Sequence, residues 1–234
     1  MEANTMDASQ QQAKLEARIH YMASCIAGFF GVFPILNMTG IFGSAQTANL
    51  IETVLAVLTG DRQGLVMHGI GVLLYVGAIV LATIIPKHTK CNLRIVAMVV
   101  DTITAIVMWQ YPDDLPVLMY LYPTFFAMAF HWCAFNGAYG FVSASIFSTN
   151  NLRMFISAMI ERYVYGNKQF ELKAKFFGFT LLSFHIGVVI NWFCWQFLGD
   201  AGFLTAIILV ALCTTQILKS IRMAKRLPLD AQND

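Results

Sequence analysis

The sequence predicts an all-α polytopic membrane protein, and three observations carry that reading. Of the 234 residues, 58% are hydrophobic and only 12% are charged, with a mean hydropathy of +0.64; a soluble domain averages about 25% charged residues. Several runs of roughly 20 apolar residues are each long enough to cross a hydrocarbon core of about 30 Å. Two shorter segments that open on polar residues interrupt those runs and resemble each other.

Residues 1–18 are polar and lack the apolar core and small-residue cleavage site of a signal peptide, so they read as a cytoplasmic tail, helical from about Asp7. Predicted spans cover 19–38, 65–86, 93–111, 117–139, 176–198 and 203–221. A short helix, 47–59, follows "TGIFGSAQT" between the first two spans; another, 149–164, follows "NGAYGFVSAS" between the fourth and fifth. At 1.5 Å per residue these two reach only about 20–24 Å, and they read as half-helices.

Charge decides how they sit. If both short helices enter and leave on one side, the tail, loop 87–94, loop 162–175 and the C-terminal segment share a face. That face then holds Lys14, Arg18, Lys87, Lys90, Arg94, Arg162, Lys168, Lys173, Lys175, Lys219, Arg222, Lys225 and Arg226, which is 13 of the 15 basic residues. The opposite face takes Arg62 with Asp61, Asp113, Asp114 and Asp200. Cytoplasmic loops collect Lys and Arg, so the basic face is cytoplasmic. Two full crossings would scatter the bias. The expected architecture is six transmembrane helices plus two re-entrant half-helices, with both termini cytoplasmic.

The halves repeat. Thr47-Ala48-Asn49-Leu50 aligns with Thr149-Asn150-Asn151-Leu152, then Gly60-Asp61-Arg62-Gln63 with Gly166-Asn167-Lys168-Gln169, then Tyr75-Val76-Gly77 with His185-Ile186-Gly187. Three spans per half is odd, so the halves face opposite ways: a first membrane repeat over 19–111, a second, inverted one over 112–221, and a cytoplasmic tail over 222–234. Inverted repeats with broken helices are the common plan of secondary transporters.

A helix that starts inside hydrocarbon leaves four backbone N–H groups without partners and carries a partial positive charge. Thr47 and Thr149 are the expected caps, with Asn49 and Asn151 bonding the backbone that turns into the helix. Two such starts meeting from opposite sides define the expected solute site: Thr47, Asn49, Thr149, Asn151 and Arg153. Arg153 has three readings: a structural pair with Asp101 or Glu52, a contact to an anionic or polar solute, or snorkelling to an interface. Glu52, Asp101, His131 and His185 are ionisable groups within apolar segments and the candidates for ion or proton coupling. Asn37, Asn136 and Asn191 are expected to face protein or water. Gly28-Phe29-Phe30-Gly31 and Gly69-Ile70-Gly71 offer small residues for close helix contact.

The segments "AGFFGVFPIL" (27–36), "GSAQTANLIETVLAVLTGD" (43–61) and "STNNLRMFISAMIE" (148–161) resemble the YoaK-like family of uncharacterised bacterial inner-membrane proteins. The resemblance runs over about residues 20–221 and implies a multi-pass protein of the bacterial cytoplasmic membrane. The family's Thr-Gly-Asn-like motif is matched at Thr47-Ala48-Asn49 and more loosely at Thr149-Asn150-Asn151. The chain departs from the family's pattern where Gly31 replaces an acidic residue and where His131-Trp132 stands for a Gln-Asn pair, which marks it as a divergent member.

No hydrolase, kinase, nucleotide-binding or zinc-protease motif is present in the sequence. The five cysteines form no CxxC and no Cys/His cluster, so neither disulfides, a metal site nor another cofactor is expected. The net charge of +2 gives no reason to expect nucleic acid. The expected function is a small-solute transporter or channel, not an enzyme, with the lipid bilayer and a small solute or ion as partners; small size suggests a homodimer. A membrane scaffold or accessory subunit is the alternative, and an intramembrane enzyme using Asp101 and a histidine is a weaker one.

Overall fold

The computed structural model describes residues 2–37, 46–112 and 115–225. The approach segment 39–45, the side chain of Asn37, the acids Asp113 and Asp114, and residues 226–234 lie outside the described residues. The elements are α1 (Glu2–Asn37), α2 (Gln46–Thr59), α3 (Arg62–His88), α4 (Leu93–Trp109), α5 (Leu121–Ala134, entered through a 3-10 turn), the hairpin β1 (Gly137–Ala138) and β2 (Phe141–Val142), then α6 (Ser148–Tyr163), α7 (Glu171–Leu198) and, after a 3-10 turn at Gly199–Thr205, α8 (Ala206–Ala224). The chain is an all-α protein of membrane type. Large apolar side chains cover its outside, Leu58, Leu73, Ile208 and Phe197 among them.

The two short helices begin within a residue of where the sequence puts them, and they end alike. Asp61 N–H bonds the Ala56 carbonyl and Asn167 N–H bonds the Glu161 carbonyl, both at 2.9 Å. Gly60 and Gly166 sit at φ 73° and 74°. At Gly60, directly after α2, this is the glycine turn that satisfies the last carbonyls of a helix; at Gly166, three residues past Tyr163, the bond spans one residue more. These are the two glycines that the repeat aligns.

Two expectations need correction. The N-terminal tail is not a separate segment: α1 runs unbroken from Glu2, because Leu15 and Ala17 bury their side chains and extend the apolar face downward. The predicted span 117–139 stops early as a helix. Its last part becomes the β1–β2 hairpin, where Gly137 and Gly140 take positive φ and Gly137 pairs with Val142. Among the described residues, three helical stretches are long and apolar enough to cross a membrane: Ala8–Ile35, Arg62–His88 and Lys168–Ala224. The third contains a reversal, since Gly202 packs on the Cys194 backbone and the Thr205 hydroxyl bonds Cys194 Sγ at 3.2 Å.

Packing pairs the elements twice over. His20 stacks on Phe176, Gly28 lies on Phe184, and Phe33 meets Trp195, so α1 and α7 run side by side in the same direction. The Tyr122 hydroxyl donates to the Met67 carbonyl at 2.7 Å and Gly71 packs on Phe125, so α3 and α5 do the same. α1 also packs on α8, as α5 packs on α4; α2 lies on α3, as α6 lies on α7; and α4 packs on α8. Arg94 at the start of α4 bonds Glu16 at 2.5 Å, and Glu16 also bonds Ser220 near the end of α8. These three mark one end of the bundle. The cluster of Phe33, Trp195 and Phe203 marks the other.

Candidate functional site

Each short helix starts on a buried asparagine. Asn49 is 3% exposed; its amide donates to Gln46 Oε1 at 2.9 Å and to the His68 carbonyl at 3.1 Å. With both amide hydrogens used, its oxygen faces His68 Nδ1 at 2.8 Å, so that nitrogen is the one that carries hydrogen. Gln46 Nε2 reaches the Gly71 carbonyl at 3.3 Å. A Cβ at Gly71 would stand 3.0 Å from the Asn49 amide and 3.1 Å from the Phe125 ring, so glycine is what lets α2, α3 and α5 close together.

Asn151 is 2% exposed and donates to the carbonyls of Ala144 (2.8 Å) and Phe147 (2.9 Å). Its oxygen accepts from the Ser143 hydroxyl at 2.9 Å, and that hydroxyl faces His20 Nε2 at 3.0 Å. The same reasoning makes His20 Nε2 the donor. The β1–β2 hairpin delivers Ser143: its N–H bonds the Asn136 carbonyl, and the turn passes through Tyr139 at φ 54°. Each short-helix asparagine is therefore joined to one histidine, Asn49 directly to His68 and Asn151 through Ser143 to His20 of α1.

The threonine caps expected from the sequence are not there. Thr47 and Thr149 are exposed, and the cap position of α6 is Phe147, which makes no side-chain hydrogen bond. A threonine bonds only the helix that follows it. The longer asparagine amide reaches beyond its own helix: Asn151 ties α6 to the chain before it at Ala144, and Asn49 ties α2 to α3 after it at His68.

Asp101 and His131 meet in the centre of the bundle, both fully buried, with His131 Nδ1 2.8 Å from Asp101 Oδ2. His131 Nε2 donates to the Ala23 carbonyl at 3.0 Å, which links α1, α4 and α5. The other ionisable candidates lie elsewhere. Glu52 is exposed on α2. Arg153 is exposed on α6 and donates to Asn150 Oδ1 at 3.1 Å, not to Asp101 or Glu52. His185 is exposed on α7, its Nδ1 on the Leu181 carbonyl at 2.8 Å. Helical phase explains this: each lies on the face of its helix away from the neighbours. Asn191 is buried as expected and Asn136 is exposed.

A cavity of ≈ 320 Å³ lies beside the start of α2. Gln46, Thr47 and Leu50 of α2, Tyr75 of α3, Trp132 of α5 and Phe147 at the start of α6 all line it. It is the place where the beginnings of both short helices contribute to one space. His20, His68 and Ser143 belong to this polar interior without having been singled out in the sequence. A histidine in an apolar span was the available signal for His20 and His68; nothing local distinguishes Ser143 from its neighbouring serines.

Fold and interior together define an all-α membrane protein with buried polar groups at the starts of two short helices and at the Asp101–His131 pair. A family model described as "Protein of unknown function (DUF1275)" matches residues 19–216, and the chain belongs to that family. That membership is consistent with the YoaK-like resemblance. No curated protein and no solved structure matches the chain.

Proposed function

We propose that the protein is a small-solute transporter or channel of the bacterial inner membrane, built as two inverted repeats with re-entrant half-helices α2 and α6. The single observation that carries the proposal is the cavity shared by Thr47 at the start of α2 and Phe147 at the start of α6. Several contacts support the topology. α2 runs from the level of Gly71 back to Arg62, where α3 begins, about nine residues or 14 Å along that helix. Phe155 of α6 lies on Gly178, and α6 likewise runs back to the start of α7. The pairing of α1 with α7 and α8, mirrored by α5 with α3 and α4, is what a two-fold relation between halves produces. Asn49 and Asn151 hold the helix starts, Thr47 lines the path, and Asp101 with His131 is the candidate coupling pair. Arg153, Thr149, Glu52 and His185 stand outside the cavity lining.

A membrane scaffold is the second reading. It is favoured by the way Asn49 and Asn151 spend their hydrogen bonds within the protein.

Two experiments test the proposal. Single cysteines at Gln63 and Asn167, in a chain without its native cysteines, are expected to label from opposite sides of intact cells with an impermeant reagent. Labelling from one side sinks the inverted topology. For the path, proteoliposomes are assayed by stopped-flow swelling with urea, glycerol and monovalent salts. Thr47→Trp fills the cavity without removing any hydrogen bond, so it should cut whichever flux the wild type supports by at least about tenfold, the equivalent of about 1.4 kcal/mol, with thermal stability unchanged. A wild type no faster than empty liposomes, or a Thr47→Trp variant as fast as wild type, moves the scaffold reading to first place.

A further inference from the structure

We infer that the groove between α6 and α7 holds an acyl chain of an anionic phospholipid, with its phosphate at Arg162 and Lys175. The groove, ≈ 290 Å³, has an apolar floor that includes Phe155, Met159, Gly178 and Leu182. Gly178 keeps the floor open: a Cβ there would stand 2.9 Å from the Phe155 ring edge. Its length fits one leaflet. From Glu171 to Leu182 along α7 is about 16 Å, against about 15 Å for half of the hydrocarbon core.

The rim carries the charge. Arg162 Nε lies 3.2 Å and Lys175 Nζ 2.6 Å from the two oxygens of Glu171, so two cations share one carboxylate and one positive charge is left over. A guanidinium has five donors and an ammonium three, which leaves donors on both for a phosphate. Arg162 also lies over the ring of exposed Tyr163, 5.2 Å from its centroid, an aromatic at the expected headgroup level. The His20–Phe176 stack sets this rim at the same end of the bundle as Glu16 and Arg94. Lys14 and Arg18 flank Glu16 in sequence, and Lys219 and Arg222 flank its partner Ser220. Basic pockets between helices on that side of a membrane are where anionic headgroups bind. Neither the path nor the inversion of the repeats enters this argument.

The test is native mass spectrometry of the full chain, purified from detergent micelles holding equal amounts of dioleoyl-phosphatidylglycerol and dioleoyl-phosphatidylcholine. The wild type should retain the phosphatidylglycerol about fivefold or more over the other, the factor expected for one basic group at an anionic surface. Arg162→Gln with Lys175→Gln should bring that ratio to about one while the chain stays folded. Gly178→Leu should expel both lipids; Met159→Trp fills the same floor and replaces it if the leucine variant does not fold. Equal retention of the two lipids by the wild type overturns the inference, as does a ratio unchanged in the glutamine variant. A wild type that retains neither lipid, and that cross-links to a second copy through a cysteine at Phe179, overturns it in favour of a dimer interface.

Discussion

Asp101→Ala is expected to destabilise the protein by about 3–5 kcal/mol, the cost of removing one member of a buried pair and stranding the other. His131 keeps its Nε2–H on the Ala23 carbonyl in either protonation state, so the variant leaves Nδ1 facing an empty, dry space. Magnitudes separate two explanations. Neutral hydrogen bonds between membrane helices are worth only about 0.6–2 kcal/mol, so a larger loss means that charge or desolvation dominates. Asp101→Asn can donate its amide hydrogen to a neutral His131 Nδ1, and its loss should be about 1–2 kcal/mol. Asp101→Leu with His131→Leu removes both partners and should recover most of the alanine variant's loss. Thermal unfolding of purified chain in detergent, followed by tryptophan fluorescence, reads all four proteins. An asparagine variant as unstable as the alanine one would show that the pair is held by its charge. An alanine variant at wild-type stability would remove the pair from any account of the fold.

Gly28→Ala and Gly187→Ala should each lower the melting temperature strongly, by an overpacking cost of about 1–3 kcal/mol or more. The two glycines sit three residues apart along one helix crossing and face opposite ways. A Cβ on Gly28 would collide with the Phe184 carbonyl, and one on Gly187 with the carbonyl of Cys25, 2.9 Å from the Phe29 nitrogen. Backbone cannot rotate aside as a side chain can, so α1 and α7 would have to move apart along the whole contact. Since either change forces the same separation, the double variant should lose less than the sum of the two. Gly69→Ala and Gly77→Ala are the controls. Nothing lies within 4 Å of a Cβ at either position, and the gain in helix propensity should stabilise by about 0.5–1 kcal/mol. Equal melting temperatures for the Gly28 and Gly77 variants would contradict the close crossing.

Much of this protein is legible without coordinates, for a physical reason. A chain whose solvent is lipid must put apolar side chains nearly everywhere and close its backbone hydrogen bonds within each segment. Helix positions therefore follow largely from hydropathy. The polar exceptions stand out, and Asn49, Asn151, Asp101 and His131 were all found as exceptions of that kind. The ends of the short helices were equally visible, because the turn at Gly60 and Gly166 needs a residue that tolerates positive φ.

Hydropathy is blind to which way a side chain faces. Arg153, Glu52 and His185 are as anomalous by composition as Asp101, yet all three lie on the outside of their helices. Glycines were similarly ambiguous. Gly69 and Gly71 look alike in sequence, but only Gly71 meets a neighbouring ring. The two threonines beside the key asparagines were natural caps by local rules, but both face outward, and the asparagines bond the neighbouring chain instead of capping the helix N–H groups.

The sequence by itself determined the class of protein and, to within a few residues, the place of most of its helices, the two short ones included, because these depend on transfer from water to lipid and on bonds between near neighbours. Only the tertiary structure decided the partners. His68 reaches Asn49, Ser143 carries His20 to Asn151, and His131 finds Asp101 while His185 does not. Such pairings rest on the rotation of each helix about its axis, which is set by contacts between segments as many as 208 residues apart, from Gln12 to Ser220, and no local pattern encodes it.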